Sequence, residues 1–88
     1  MKVHTTTLTA GNTLVINSVD GAMMVSVQPN TGASCTFNGG ITFKGTSSTA
    51  LTLQNSQVLT VSALSPASPL DGITITAVSG DTDVIIGL

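Results

Sequence analysis

Between residues 49 and 63 the chain keeps a two-residue rhythm. In TALTLQNSQVLTVSA, Leu51 and Leu53 alternate with Thr52 and Gln54, and Leu59, Val61 and Ala63 alternate with Thr60 and Ser62. Successive side chains of an extended strand point to opposite faces, so this rhythm writes a strand with one apolar and one polar face. No stretch sustains the i, i+3, i+4 apolar spacing of a helix, while Thr, Val and Ile, which suit a pleated surface, are abundant. Gly, Asn, Asp and Pro clusters interrupt the rhythm every 8–12 residues or so, the spacing of a β-sandwich or barrel. Strands are expected near 3–9, 12–19, 22–28, 33–37, 41–45, 49–54, 57–63, 72–78 and 82–87. The expected fold is all-β: a small antiparallel sandwich or barrel of eight to nine short strands, of Greek-key or jelly-roll type.

Directly paired residues of a hairpin share a face, so loop length decides whether two apolar rows coincide. A two-residue turn at Asp20-Gly21 pairs Leu14 with Val27, Ile16 with Val25 and Ser18 with Met23. A three-residue loop at Asn38-Gly39-Gly40 pairs Phe37 with Ile41 and Cys35 with Phe43. A two-residue turn at Ser79-Gly80 or Gly80-Asp81 sets Ile73, Ile75 and Ala77 on the face of Val84 and Ile86. After Leu53, either a three-residue loop at 54–56 pairs Leu51 with Leu59, or the chain crosses to a second sheet. Thr46-Ser47-Ser48 is expected to be a short loop. Ser65-Pro66-Ala67-Ser68-Pro69 reads as an extended crossover, because proline cannot donate to an inner ladder.

At 88 residues the chain is expected to form one domain over residues 1–88. A domain of this size buries only about 60–65% of its unfolded surface, so its core is marginal without a supplement. The single cysteine, Cys35, forbids an internal disulfide. Association with other copies is the common remaining supplement.

Charge is the second constraint. Only 7% of residues are charged, against about 25% in an ordinary domain, and two cations stand against four Asp. Two cations cannot neutralise a run of phosphates, so no nucleic-acid partner is expected. The same shortage argues against an anionic membrane surface, and no run approaches the roughly 18 apolar residues of a membrane helix. The N-terminal MKVHTTTLTAG lacks an apolar signal-peptide core, so no secretion signal is expected.

Chemistry is thin. His4 is the only histidine, and no nucleophile–base arrangement can be built from spacing. An exposed histidine near a strand start is expected. Cys35 falls on the predicted core side with Phe37, Ile41 and Phe43; Lys44, the nearest cation in sequence, points away, so the thiol should be buried and inert. Asp81 and Asp83, at i and i+2, are weak metal candidates. Calcium wants about six to eight oxygens, and turn chemistry with a charged edge is the plainer role. Asp20 and Asp71 each precede Gly and read as turn residues. No catalytic residue, cofactor or resident metal is expected, and the chain is not expected to be an enzyme.

The hydroxyl beat needs a use. Unguarded edges and a neutral Thr/Ser surface suit contact with other protein, because hydroxyls hydrogen-bond without the desolvation penalty of charge. Met24, Thr52, Thr60, Thr74 and Thr76 are the weak candidates for that surface. A homo-oligomer is expected, with a trimer favoured.

The phrases LTAGNTLVI, STALTLQNSQVLTVSA, SPLDGITITAV and DTDVIIGL resemble the short Thr/Ser/Gly-rich β proteins of bacteriophage virions, among them capsid decoration (cement) proteins and head-fibre or spike components. The resemblance covers much of the chain in style and transfers no site residue. It implies a compact binding module, often trimeric, made in the host cytoplasm and attached to a capsid or tail protein in the virion. Two further readings stand beside it. One is a carbohydrate or host-surface binding module, although such surfaces usually stack ligands on rings and the chain has no Trp or Tyr. The other is an ice-binding face built on Thr-X-Thr rows such as Thr5 to Thr9 and Thr74 to Thr76.

Overall fold

A computed structural model of the chain describes residues 2–39 and 50–88. It contains β1 (Val3–Leu8), β2 (Thr13–Ile16), β3 (Met24–Pro29), β4 (Ser34–Asn38), β5 (Ala50–Gln54), β6 (Leu59–Ser62), β7 (Ile73–Ser79) and β8 (Thr82–Gly87). All described pairings are antiparallel, in two four-stranded sheets. The first sheet runs β1-β8-β3-β6 and the second β2-β7-β4-β5. First therefore pairs with last, second with seventh, third with sixth and fourth with fifth. That nesting is a long hairpin of strand pairs rolled over itself, the jelly roll.

β3, β7 and β8 have the expected parity, whereas in the edge strand β5 Leu53 is buried and Leu51, on the same row, stays exposed. In β7 Ile73, Ile75 and Ala77 are buried, while Thr74 and Thr76 are half-buried on the other face. In β3 Val25, Val27 and Pro29 are buried between half-buried or exposed neighbours. The inner rows of the two sheets meet in one core, which joins Leu8, Ile16, Val25, Val27, Cys35, Phe37, Leu53, Leu70, Ile73, Ile75, Ala77 and Val84. Pro29 closes β3 beyond the β6 ladder, which stops at Val27, so its missing donor breaks no bond to β6. The backbone extents are 37 × 37 × 18 Å, and the short dimension suits two sheets stacked about 10 Å apart.

Three expected hairpins are not pairings in this fold. β2 and β3 lie in different sheets, so Leu14 faces Ile75 across its ladder rather than Val27, and Val25 faces Val61 and Ile86 rather than Ile16. β7 and β8 are likewise in different sheets. Both edges of β4 are taken, by β5 and β7, so Cys35 pairs with Leu53 and Ala77, and Phe37 with Leu51 and Ile75. Ile41, Phe43 and Lys44, with the expected strand 41–45 and the loop 46–48, lie outside the described residues.

For the β2–β3 and β7–β8 expectations the physical reason is the same. Two strands that cross between facing sheets present their apolar rows to the same interior as two strands of a hairpin do. Matching rows establish a common core and leave the pairing open. For the segment after Leu53 the crossing alternative is the observed one, since β5 and β6 belong to different sheets. The 65–69 segment does lie in the connection between β6 and β7, two strands of different sheets, and is pinched by a bridge between Ser65 and Ser68.

Local chemistry explains the crossings. After β2 the chain makes one 3₁₀ turn at Ser18–Asp20. The Asp20 carboxylate accepts from the Asn17 amide at 2.8 Å, and Gly21, at φ 70°, ends the turn in the left-handed region that glycine tolerates. Asp71 reaches across from the β6–β7 connection, its carboxylate accepting from the Ser18 amide at 2.9 Å. Both Asp residues thus hold turns, as their Asp-Gly context suggests. At the other end, Asn55 and Ser56 adopt positive φ, and the Asn55 side chain accepts from the Gly32 amide at 3.0 Å.

Candidate functional site

The outer face of the second sheet carries the most ordered polar array. Its register sets Thr13 opposite Thr76, Thr76 opposite Thr36, and Thr36 opposite Thr52. One row of threonines therefore crosses all four strands. The Ala77 amide donates to the Asn12 carbonyl at 3.0 Å, which makes Thr13 and Thr76 a non-hydrogen-bonded pair, the kind with close Cα atoms and close side chains. Their hydroxyls meet at 3.1 Å. The adjacent row is Val15, Thr74, Asn38 and Ala50. Val15 and Val78 add exposed apolar surface. Among the described residues no charged side chain lies in the strands of this sheet.

The outer face of the first sheet differs. Thr5, Ile85, Ser26 and Thr60 form a row, and the Thr60 hydroxyl donates to Ser26 Oγ at 3.1 Å. Asp83 adds a carboxylate that accepts from the Thr7 hydroxyl at 3.0 Å. Met24 stands half-buried on the same side, opposite Ser62. The five surface candidates therefore divide: Thr52, Thr74 and Thr76 lie on the outer face of the second sheet, and Met24 and Thr60 on the opposite side of the molecule. The row also takes in Thr13 and Thr36, which the sequence reading did not single out. Strand parity already turned Thr36 away from Cys35 and Phe37, but the lateral order that aligns four threonines is not written locally.

The remaining chemistry is dispersed. Asp81 precedes β8, and its carbonyl accepts from the Asn30 amide at 2.9 Å, while the Asp83 carboxylate is engaged with Thr7. No three His, Cys, Asp or Glu side chains come together among the described residues. His4 is exposed on β1 and lines an open apolar groove of about 200 Å³ with Leu14, Ile16, Ala22, Ile86 and Leu88, and Asp20 at its rim. Cys35 is fully buried. Burial pushes its thiol above the ordinary value; the Thr82 hydroxyl, which opposes the shift, stands near the thiol without meeting hydrogen-bond geometry. Thr82 Oγ1 is itself buried and meets no hydrogen-bond partner among the described residues. No described helix is long and apolar enough to cross a membrane.

Comparison of the chain with protein-family models, with curated proteins and with solved structures finds no match.

Proposed function

We propose that this protein is a non-enzymatic structural component of a virion, a capsid decoration or head-fibre module that associates with its own copies and attaches to a larger protein shell. The observation that carries the reading is the uncharged threonine row across the outer face of the second sheet. Interface cores are depleted of charge, and a hydroxyl row with exposed Val15 and Val78 supplies both hydrogen bonds and apolar area to a flat partner. The jelly roll adds support by analogy alone, since it serves viral capsid domains and lectins alike.

Co-sedimentation with undecorated phage capsids tests the reading. The native protein is expected in the capsid pellet, and Thr36→Lys, which sets a cation in the middle of the row, is expected to stay in the supernatant with unchanged β-type circular dichroism. Absence of the native protein from the pellet contradicts the shell attachment. Binding on a glycan array would replace it with the carbohydrate reading. The same four-strand row also favours an ice-binding face over what sequence spacing suggested, and thermal hysteresis lost in Thr36→Lys would establish that reading in its place.

A further inference from the structure

We infer that β1 is a self-pairing edge: two copies of this chain join β1 to β1 antiparallel about a two-fold axis centred on Thr5, fusing their first sheets into one of eight strands. The inference rests on the proposed self-association and names where it occurs.

The edge is open and defined. Lys2 and Leu88 exchange both backbone bonds, Lys2 donating at 3.3 Å and Leu88 at 2.8 Å. Ladder bonds of antiparallel strands alternate, so Lys2, His4, Thr6 and Leu8 bond to β8 while Val3, Thr5 and Thr7 turn their N–H and C=O groups to the other side. No described strand pairs there. An unpaired row of this kind is a template for another strand.

β1 is also the longest edge strand described, six residues against five in β5 and four in β2 and β6. Its six residues, VHTTTL, contain no Lys, Glu or Pro. β2 and β6 have four residues each, and β6 leads into Pro66 and Pro69. Short edges and prolines discourage pairing, and β1 lacks both devices.

The occupant that fits is a second copy. In the two-fold register Thr5 faces Thr5 of the other copy, and Val3 faces Thr7. The three outward positions then exchange about six backbone bonds. Every residue they bring together is β-branched and uncharged. Lys2 falls opposite Leu8, which keeps the two ammonium groups at opposite ends of the ladder, so no like charges meet. The contact is isologous and closes on itself. It is two-fold, where the sequence reading favoured three copies.

Site-specific cross-linking of the full chain tests it. Residues of a hydrogen-bonded antiparallel pair have Cα atoms about 5.5 Å apart, within disulfide range. Under mild oxidation or a short bis-maleimide, Thr5→Cys is expected to give a covalent dimer at least about tenfold faster than Val3→Cys or Thr7→Cys, whose symmetry mates lie several residues away in this register. Native Cys35 is buried and serves as the background. Thr5→Lys, which sets two cations face to face, is expected to abolish the dimer by light scattering while keeping its β-type circular dichroism. Equal or absent cross-linking at the three positions overturns the inference. A native trimer also overturns it but leaves the proposed self-association standing, whereas a native monomer removes both.

Discussion

Two buried side chains and one glycine give the sharpest statements about single residues. Thr82 Oγ1 is enclosed without a hydrogen-bond partner among the described residues, and a buried unsatisfied hydroxyl costs about 1–3 kcal/mol. Thr82→Val keeps the shape and removes the unmet group, so it should stabilise the fold by about 1 kcal/mol, read as a higher urea midpoint at unchanged slope. Gly80 is the opposite case. It sits at φ +68°, and a Cβ built there would lie 2.8 Å from the Ala33 Cβ. Gly80→Ala combines a clash with left-handed strain and should cost about 2 kcal/mol, a fall of roughly 10 °C in melting temperature. Cys35 should not react with thiol reagents at pH 8 until the protein unfolds. Its folded pKa is raised above the ordinary 9.0. The unfolded chain therefore loses this proton first, and the group's contribution to stability is complete below about pH 9 and declines as pH rises through the folded value. The burial of Cys35 was legible from its parity with Phe37. The isolation of Thr82 was not, because nothing in DTDVIIGL says which side chains face position 82 from the other sheet.

Strand positions were written plainly, and strand partners were not. The two-residue rhythm located β1, β7 and β8 to within a residue or so at each end, because a half-buried strand must alternate wherever it lies. Leu14 and Val27 do share an interior, but from facing sheets rather than across a turn. Face matching is the same in both arrangements, and only long-range order separates them. The Asp-Gly pairs acquire their meaning from that order. Asp71 does not make a hairpin; its carboxylate bonds the Ser18 amide and ties two sheet-crossing connections together. Removing it in Asp71→Ala should cost about 1 kcal/mol and speed hydrogen exchange at the Ser18 amide, with the distant Asn55–Gly32 contact unchanged. The threonine row follows the same logic. Each Thr was visible as an outward residue of its own strand, but the row exists only because β2, β7, β4 and β5 lie side by side in that order.

At the scale of the whole molecule, composition constrained function more than any motif did. Few charges, one thiol and one histidine left little material for chemistry, and the structure disperses it further. What it assembles is surface: a neutral hydroxyl face on one side, a face with Asp83 on the other, and an open six-residue edge at β1. The first strand pairs with the last, so most of the chain must be ordered before that ladder closes, and folding should be slow, in the millisecond-to-second range of non-local β topologies. A small jelly roll with a marginal core and unguarded edges gains stability when other protein covers it. Sedimentation velocity on the full chain across a wide concentration range shows whether copies of the chain supply that cover. A defined oligomer should persist on dilution into the micromolar range; a single-chain species at every concentration rules self-association out.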